Sequence, residues 1–580
     1  MSTQALGERI ADLLLGEGVD RFFSLPEVTF GKLHDALDRR GAPLIAPHHE
    51  AAAGYMAEAY AQLTGRMAVV GGSVGPGAIN LYPVIANSWS ENLPILYLGS
   101  ERTVLARNSP RRSQFQCPPN LEVVKPITKY CAMIENPLEA DAIFQEAFRQ
   151  LHTGTPGPVY IGLPFDLLLE EHDFGPLAPP QRYRPASFVD TVCDADLAAL
   201  AEELVASPLP LILAGAGLRL SRMQAALEQL ARALGCPVIT TPAGRGVLPD
   251  THPQLFDLGV APGSDIAAQA DTVLVLGSSI SEQVAFGGQP YARSQQGFPN
   301  FFGDPATQRW IHIDRDPAAL GRNRPVDVAL AGDLRRVMPR LVDAVQRAGA
   351  EPERNAKRLG TWQQAREAHY RSLYSATTDS QPIHPGRAIV EVQRALPEQA
   401  IIVRDGGAFK IWAMNLLHHP ISENLAAIKQ GMLGSGVPYG LGAALAARDD
   451  GRRVCVITGD GAFGFYPMEL ETAVRHNLPV VIVVGYDAGW SLEVPYYMQV
   501  CGRTFEVDHE FVRLDEMART LGAHGEFCTR SDEIGPAMQR ALAAQKPALV
   551  QIVIDRDINA YQMPNNGVWS SWHADKAVYQ

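Results

Sequence analysis

Short apolar runs alternate with longer helix-like stretches over most of the chain. The runs that are typical of strands occupy residues 67–70, 94–98, 158–161, 209–214, 272–276, 454–457 and 479–484. Strands that alternate with helices pack into parallel sheets that are covered by helices on both faces. The pattern therefore predicts an α/β chain built from doubly wound parallel-sheet domains.

Polar and proline-rich joints divide this pattern into three such domains, since a chain of 580 residues exceeds one hydrophobic core. The proline-rich stretch at residues 177–185 indicates a linker, and the charged stretch 346–380 favours helix without strands. We expect domains at residues 1–170, 188–345 and 381–556, followed by a tail at 557–580.

Composition and charge exclude several classes of function. The net charge of −13 comes without a run of Lys or Arg, which argues against nucleic-acid binding. The seven cysteines are scattered without a Cys-x-x-Cys motif, so free thiols in a reducing cytoplasm are expected. No apolar stretch reaches the roughly 20 residues that a transmembrane helix needs, and residues 1–18 do not resemble a signal peptide. We expect a cytoplasmic protein that binds neither membrane nor nucleic acid.

Two acidic loops follow apolar runs in the third domain. Asp460 lies in Gly459-Asp460-Gly461-Ala462, and Asp487 lies in Tyr486-Asp487-Ala488-Gly489. Because the carboxyl ends of parallel strands meet at one sheet edge, both carboxylates can hold Mg²⁺ there. The small residues Gly461 and Ala462 let a phosphate approach the backbone. Gly-Asp-Gly is also common turn chemistry, so the motif alone leaves two ordinary loop aspartates open.

A carboxylate stands out in the first domain as well. Glu50 lies where the apolar stretch 44–46 is followed by an alanine-rich helix over 51–63. A partly buried carboxyl at such a position can act as an acid or base. A glutamate at a helix N-terminus often does no more than favour the helix dipole, and this alternative stays open at this point.

Four segments resemble, in the same order, the motifs of thiamine-diphosphate (ThDP) dependent enzymes. They are His49-Glu50 with its helix, Gly75-Pro76-Gly77-Ala78-Ile79-Asn80, Thr155-Pro156-Gly157-Pro158-Val159, and residues 459–489. The resemblance covers essentially the whole chain. It implies an enzyme with three doubly wound α/β domains: pyrimidine-binding, central nucleotide-binding-like and diphosphate-binding. It also implies that the tail is a C-terminal lid.

The resemblance assigns roles on the pyrimidine side of the cofactor. Glu50 would bond N1′ of the aminopyrimidine and drive the imino tautomer that removes the thiazolium C2 proton. Gly431 would accept a bond from the 4′-amino group through its carbonyl oxygen. Leu433 would wedge the cofactor into its bent form. The protein itself has no side chain that supplies such a carbon nucleophile.

The resemblance also assigns roles on the diphosphate side of the cofactor. Mg²⁺ would be held by Asp460, Asp487 and the carbonyl of Gly489. The diphosphate would meet the backbone of Gly407, Ala408, Gly461 and Ala462. The family usually has Asn where this chain has Asp487. Asp is still an oxygen ligand suited to Mg²⁺, but its extra charge would strengthen binding, or weaken it if protonated.

In the family the ThDP site lies between two chains, with Glu50 from one and the metal loops from the other. The resemblance therefore implies a homodimer, and tetramers are common. The central domain binds ADP in one branch and FAD in acetolactate synthase relatives. Gly215 and Gly217 would let a phosphate approach the backbone, and Asp314 would reach a ribose hydroxyl. A central domain without a nucleotide also stays open.

Further stretches favour a branch of the family. Residues 461–479 and 210–253 look most like oxalyl-CoA decarboxylases and 2-hydroxyacyl-CoA lyases. Phe115-Gln116 resembles a Phe-Gln of the lyase and synthase branches, which places Gln116 in the active site; pyruvate-type decarboxylases have a His-His pair there. Glu493 instead resembles a glutamate of pyruvate-type decarboxylases, where a carboxyl can shuttle a proton. A solvent-facing helix glutamate is the alternative.

We predict a 2-hydroxyacyl-CoA lyase that cleaves or forms the C1–C2 bond, giving an aldehyde or ketone plus formyl-CoA. Glu493 would transfer the proton of the substrate hydroxyl, and Gln116 would orient that hydroxyl. One candidate substrate is 2-hydroxyisobutyryl-CoA. The tail would close over the acyl-CoA, with Trp569, Trp572, Tyr579 and Lys576 in contact with it. The alternatives are an acetolactate-synthase-like carboligase with FAD, a 2-oxoacid or oxalyl-CoA decarboxylase, and a non-catalytic nucleotide-binding homologue.

Overall fold

The computed structural model describes residues 3–184, 190–288, 290, 301–418, 420 and 424–560. Three parallel sheets of six strands each dominate this part of the chain, which confirms the predicted fold class. Most strands of the three sheets are buried along their whole length. Helices cover both faces of such sheets, and this is why the strands are continuous apolar runs in the sequence.

The strands are short and separated by helices throughout. In chain order they are β1 (Gln4–Ala5), β2 (Phe22–Ser24), β3 (Leu44–Ile45), β4 (Ala68–Gly72), β5 (Ile95–Glu101), β6 (Tyr130–Met133), β7 (Val159–Pro164), β8 (Glu171–His172), β9 (Pro210–Ala214), β10 (Val238–Thr240), β11 (Leu255–Phe256), β12 (Thr272–Leu276), β13 (Arg309–Asp314), β14 (Val328–Ala331), β15 (Ile401–Arg404), β16 (Asn424–Leu425), β17 (Val454–Gly459), β18 (Val480–Tyr486), β19 (His524–Cys528) and β20 (Ala548–Val553).

The α-helices of the described residues connect these strands. They are α1 (Leu6–Gly16), α2 (Gly31–Arg39), α3 (Glu50–Thr64), α4 (Pro76–Asn80), α5 (Tyr82–Glu91), α6 (Val104–Arg107), α7 (Asn120–Val124), α8 (Ala140–His152), α9 (Pro180–Tyr183), α10 (Asp194–Ala206), α11 (Ala216–Leu220), α12 (Gln224–Leu234), α13 (Gly263–Gln269), α14 (Leu334–Arg347), α15 (Ala356–Ala376), α16 (Pro385–Ala395), α17 (Ala408–Leu416), α18 (Gly436–Ala446), α19 (Asp460–Phe463), α20 (Glu469–Arg475), α21 (Val494–Cys501), α22 (Leu514–Thr520) and α23 (Ser531–Ala543).

The first and third sheets have the same topology. The first has the order β3-β2-β4-β5-β7-β6 and the third β16-β15-β17-β18-β20-β19, so corresponding strands occupy corresponding places. The central sheet has the order β11-β10-β9-β12-β13-β14, in which the direction of winding reverses between β9 and β12. Ligands of such sheets bind at the carboxyl edge where the order reverses.

The first and third sheets are joined through helices α3 and α18. Gly442 of α18 approaches the backbone of Met56 so closely that a Cβ would collide with the Met56 carbonyl oxygen. Glycine is required there because only its hydrogen fits between the two helix backbones. The Tyr439 hydroxyl of α18 donates a hydrogen bond to Glu58 Oε2 of α3 at 2.7 Å. This contact packs the first and third domains of one chain together.

Several local expectations change in the structure. The predicted linker contains the short helix α9, and the charged stretch 346–380 contains the long helix α15, as its composition indicates. Glu50 is the first residue of α3 rather than the residue before it. No helix of the described part combines the length and apolar character needed to cross a membrane. The predicted lid residues Trp569, Trp572, Lys576 and Tyr579 lie outside the described residues.

Candidate cofactor site and nucleotide cavity

Glu50 lies at the carboxyl edge of the first sheet, where β3 is followed by α3. The His49 side chain caps this helix, since its Nδ1 accepts a hydrogen bond from the Ala51 N–H at 3.0 Å. Glu50 is only 6% exposed, and its Oε2 accepts a hydrogen bond from Asn80 Nδ2 at 2.9 Å. Asn80 ends the Gly-Pro-Gly motif, so two predicted motifs meet at this carboxylate.

The turn at Gly75 and Gly77 contacts both Glu50 and Gln116. A Cβ on Gly77 would lie 2.7 Å from Glu50 Oε1, and one on Gly75 would lie 2.6 Å from the Cβ of Gln116. Glycine is therefore required at both positions. Gln116 has a left-handed backbone with φ of 52° and is half-buried, whereas its neighbour Phe115 is 73% exposed. The structure thus brings Gln116 to the same edge as Glu50.

The two acidic loops lie at the carboxyl edge of the third sheet. Asp460 begins α19 after β17, Asp487 follows β18, and these two strands pair in parallel. Asp460 Oδ2 accepts a hydrogen bond from the Gly489 N–H at 3.1 Å. The Ser491 hydroxyl donates a hydrogen bond to Asp487. The three predicted metal ligands therefore come together, as their place after neighbouring strands predicts.

The two aspartates form a buried pair of like charge. Burial raises the pKa of both carboxyls, and the nearby Asp460 carboxyl raises the pKa of Asp487 further, to about 7. A divalent cation between them would relieve their repulsion, and oxygen ligands suit Mg²⁺. No group of three or more His, Cys, Asp or Glu in the described part could hold a metal. The remaining ligands would be carbonyls, such as that of Gly489, and oxygens of a bound diphosphate.

The loop before α18 carries the residues that are predicted to hold the pyrimidine. Leu433 packs on Gly406, because a Cβ at Gly406 would collide with Cδ2 of Leu433. Gly431 and Gly407 have positive φ angles of 61° and 91°, and no atom lies within 4 Å of the place where their Cβ would be. Open backbone at these glycines and an apolar side chain held against Gly406 fit a ThDP molecule. Ala408 begins α17 directly after Gly407.

Asp405 belongs to this site although no sequence motif marked it. It follows β15, and its Oδ1 accepts a hydrogen bond from the Gly406 N–H at 2.7 Å. Its Oδ2 accepts a hydrogen bond from the Gly436 N–H at 2.9 Å. Asp405 therefore ties the predicted diphosphate backbone to the start of α18. A signal existed in the sequence, since Asp405-Gly406-Gly407 follows an apolar run just as Gly459-Asp460-Gly461 does.

Gly461 and Glu493 both lie beside Trp490. Gly461 and Ala462 belong to α19, and a Cβ on Gly461 would lie 2.7 Å from the Trp490 ring. Glu493 directly precedes α21 and is half-buried, and its N–H donates a hydrogen bond to the Trp490 carbonyl at 3.0 Å. No residue of α21 is buried, so Glu493 lies at the base of an exposed helix. Its role as a proton shuttle stays a prediction.

A cavity of about 620 Å³ opens at the carboxyl edge of the central sheet. Gly217, Gly277, Asp314 and, from the third domain, Lys429 line it. Burial raises the pKa of Asp314 to about 6. The cavity lies where the strand order reverses between β9 and β12, and its volume is that of a small-molecule site. Two of the three predicted nucleotide residues thus share one cavity.

The two glycines of the central domain pack against the loop after β12. The Gly215 N–H donates to the Leu276 carbonyl and the Gly217 N–H to the Gly277 carbonyl, each at 2.9 Å. A Cβ on Gly217 would lie 2.8 Å from Gly277 Cα. The glycines therefore permit two loops to pack closely. Since both amides are already bonded, they do not offer donors to a phosphate.

Three family models match successive parts of the chain. Residues 4–121 match "Thiamine pyrophosphate enzyme, N-terminal TPP binding domain", residues 197–341 the "central domain", and residues 405–552 the "C-terminal TPP binding domain". Thiamine pyrophosphate is another name for ThDP. These matches include Glu50, Asp314, Asp460 and Asp487.

Relatives are similar along nearly their whole length. Acetolactate synthase large subunit IlvG of Mycobacterium tuberculosis is 28% identical over 573 residues, which cover 97% of this chain and 98% of the relative. The probable acetolactate synthase large subunit of Methanococcus aeolicus is 27% identical over 571 residues, covering 94% and 92%. Sulfoacetaldehyde acetyltransferase of Alcaligenes xylosoxydans xylosoxydans is 27% identical over 586 residues, covering 95% and 93%.

Proposed function

The chain belongs to the thiamine pyrophosphate enzymes, and from this premise we propose that it is a carboligase of the acetolactate-synthase type. One 2-oxoacid would lose its carboxylate as CO₂, and its acyl carbon would bond to the carbonyl carbon of a second 2-oxoacid. The product would be a 2-acyl-2-hydroxy acid. The similarity to acetolactate synthases over 94% to 97% of this chain supports this assignment.

The observation that carries the proposal is the position of Gln116. Its side chain packs on Gly75 in the turn that also contacts Glu50. An amide can hydrogen-bond a substrate carbonyl, but it cannot supply a proton at neutral pH. A decarboxylase must protonate the acyl carbon after CO₂ leaves, whereas a ligase must keep that carbon unprotonated until a second carbonyl arrives. An amide at this edge therefore favours ligation.

The remaining roles follow from the geometry of the two sheet edges. When bound, ThDP supplies the carbon nucleophile that no side chain provides. Glu50 would hold N1′ and exchange a proton with it, and Asn80 keeps the Glu50 carboxylate in one orientation. Mg²⁺ would be bound by Asp460, Asp487 and the Gly489 carbonyl. Leu433, Gly431 and the open backbone at Gly407 would contact the cofactor.

The 2-hydroxyacyl-CoA lyase receives less support. Its prediction depends on the resemblance of residues 461–479 and 210–253, and the lid that would cover an acyl-CoA lies outside the described residues. The relatives compared above are acetolactate synthases and an acetyltransferase that acts on sulfoacetaldehyde, as its name states. The two reactions are separable, because only the lyase releases formyl-CoA.

The purified protein with ThDP and Mg²⁺ should therefore be given two panels, 2-oxoacids and 2-hydroxyacyl-CoA esters. We expect CO₂ and a 2-acyl-2-hydroxy acid from the first panel and no formyl-CoA from the second. Gln116→Ala should lower ligation and raise the share of free aldehyde. Gln114→Ala, in the same loop, serves as the matched control. Formyl-CoA release without ligation would replace this proposal by the lyase.

A nucleotide in the central cavity is a separate part of the proposal. Gly217 and Asp314 line a cavity of about 620 Å³. The nucleotide expected there is FAD in an acetolactate-synthase-like enzyme and ADP in an enzyme of the acyl-CoA branch. Mass spectrometry of small molecules released on denaturation should detect one of the two. Asp314→Ala should lower its occupancy while the fold is retained. Release of neither nucleotide from protein that carries ThDP would contradict a resident nucleotide.

A further inference from the structure

A second cavity of about 420 Å³ adjoins the nucleotide cavity. The two cavities share wall residues, namely Pro156, Gly217, Leu220, Ser221 and Arg315. The second cavity also has walls from helices of the first domain, so it lies at the junction of the first and central domains. A ligand in the larger cavity can therefore extend a group into the smaller one.

The smaller cavity is lined by cationic side chains. Arg184, Arg315 and Arg335 contribute to its wall together with His152, and no Asp or Glu of the described residues is among its lining residues. Arg315 Nη2 donates a hydrogen bond to the His152 carbonyl at 2.6 Å, which holds its guanidinium against the wall. An excess of positive charge in a partly enclosed space attracts anions.

Two carboxylates form ion pairs with these arginines but do not line the cavity. Glu17 accepts a hydrogen bond from Arg184 Nη2 at 2.7 Å, and Asp333 forms an ion pair with Arg335 at 2.6 Å. These pairs orient both guanidinium groups. Among the described residues, the buried Nε of Arg184 has no hydrogen-bond acceptor. This Nε is enclosed by protein, so an anion in the cavity would meet the terminal nitrogens of the Arg184 guanidinium rather than Nε.

His152 responds to the same electrostatic field. Burial lowers its pKa, and the charges of Arg184, Arg315, Lys129 and Arg335 lower it further, to about 3. The imidazole is therefore neutral at physiological pH. A neutral imidazole can hydrogen-bond an anion without adding a proton-dependent charge to the site. Binding of an anion here should not depend on His152 ionisation near pH 7.

Several donors in the wall of the larger cavity are already bonded to protein carbonyls. The amides of Gly215 and Gly217 are bonded to neighbouring carbonyls. Lys129 Nζ donates to the Thr155 carbonyl at 2.8 Å, and Lys429 Nζ donates to the Ser90 carbonyl at 2.6 Å. Arg322 lines the larger cavity and Arg315 lines both. A nucleotide whose sugar lies near Asp314 can therefore reach the arginines of the smaller cavity through the wall that Arg315 shares.

We propose that the arginine-lined cavity formed by Arg184, Arg315 and Arg335 with His152 is a phosphate-binding site. The phosphate belongs either to a nucleotide that occupies the larger cavity or to free phosphate. Guanidinium groups suit this ligand because their paired N–H donors match phosphate oxygens. The inference does not rest on the carboligase chemistry, since binding is measured without turnover.

Calorimetric titration of the full-length protein tests the site with three probes: inorganic phosphate, AMP and adenosine. We expect AMP to bind, with adenosine at least about tenfold weaker, because a charged hydrogen bond contributes on the order of 1.5–3 kcal/mol. Arg184→Gln should weaken AMP and phosphate by about tenfold or more and leave adenosine unchanged. Arg184→Lys keeps the charge and should restore part of the loss.

Arg182→Gln is the matched control, because Arg182 is exposed, lies in α9 two residues before Arg184 and does not line the cavity. Arg335→Gln repeats the test at another guanidinium if Arg184→Gln does not fold, as judged by circular dichroism. Free phosphate that binds at least as tightly as AMP would identify free phosphate as the ligand, with the site upheld, whereas tighter binding of AMP would identify a nucleotide. Equal affinities of AMP, phosphate and adenosine for wild type and both variants, or no binding of AMP or phosphate, would overturn it.

Discussion

At the scale of residues, the two candidate catalytic glutamates differ in their surroundings. Glu50 is buried and receives a hydrogen bond from Asn80 at a sheet edge that two sequence motifs form. Glu493 is half-buried beside Trp490 at the base of α21. Buried carboxylates with one defined partner are suited to hold a cofactor atom, whereas a half-buried one has room to meet a substrate. We therefore expect different kinetic signatures from the two.

Replacing Glu50 by Gln should slow exchange of the thiazolium C2 proton by about 10²–10⁴-fold, because the carboxylate that exchanges a proton with N1′ is lost. ThDP should remain bound, since Asp460, Asp487 and Leu433 are unchanged. Proton exchange in D₂O, followed by NMR after acid quench, measures the rate. Asn80→Ala should cause a smaller loss. Unchanged exchange in Glu50→Gln would remove Glu50 from its assigned role.

Replacing Glu493 by Gln should lower kcat by about 10²-fold or more and change KM little, because a proton transfer in the transition state is removed. Steady-state kinetics with the best 2-oxoacid substrate separates the two constants. Glu510→Gln is the control, since Glu510 is exposed in the same domain. An effect on KM alone would instead make Glu493 a binding or helix residue.

At the scale of elements, the contact between α3, α5 and α18 contains a buried carboxyl. Glu58 accepts hydrogen bonds from Ser88 at 2.6 Å, Asn87 at 2.8 Å and Tyr439 at 2.7 Å. Burial raises its pKa from 4.5 to about 8. Between these two pKa values the folded state therefore holds a proton that the unfolded state has released. The stability contributed by Glu58 is complete below the unfolded pKa and is lost as pH rises through the folded value.

Glu58→Gln should reduce this loss of stability, because the neutral amide resembles the protonated carboxyl at every pH. The midpoint temperature of thermal unfolding should fall less between about pH 5 and about pH 9 in the variant than in wild type. The corresponding difference in the free energy of unfolding is on the order of a few kcal/mol. Differential scanning calorimetry measures it. Glu139→Gln, an exposed substitution in the same domain, should leave the pH dependence of the unfolding midpoint as in wild type. Identical slopes in wild type and Glu58→Gln would show that Glu58 is not the responsible group.

At the scale of the whole molecule, apolar side chains are exposed at both sheet edges that carry candidate site residues. In the first domain Leu105 is 85% and Phe115 73% exposed, and on the third domain Met498 is 51% and Val500 55% exposed. Such surfaces mark interaction sites. We propose that two chains cover them in a homodimer, with Glu50 of one chain and the metal loops of the other completing each site.

Mixing two inactive variants tests this arrangement. A mixture of Glu50→Gln and Asp460→Ala chains, refolded or co-expressed, should regain about a quarter of wild-type activity, because half of the random dimers contain one intact shared site. Activity assays before and after subunit exchange measure the recovery. Sites contained within one chain would give no recovery, since every chain then carries a defect. Each variant alone provides the baseline.

The fold class and several site residues could be predicted because they depend on local order. Continuous apolar runs between helices define buried parallel strands wherever they occur, and Asp460 and Asp487 follow such runs directly. Asp405 follows one as well, but its importance lies in the contact with Gly436, which is 31 residues away along the chain and is not marked by a local pattern. Gly215 and Gly217 illustrate the same limit, since their amides bond to Leu276 and Gly277 from another segment. Glycine spacing indicates close approach, but not what approaches.

The sequence by itself determined the α/β class, the succession of three sheets and the motif residues, because these depend on periodicity and on residues close in the chain. Only the tertiary structure decided that the first and third sheets share one strand order. It also decided that Gln116 lies on the turn that contacts Glu50, and that three arginines distant in sequence line one cavity. These features arise where separate segments meet, and such meetings depend on packing that no local pattern records.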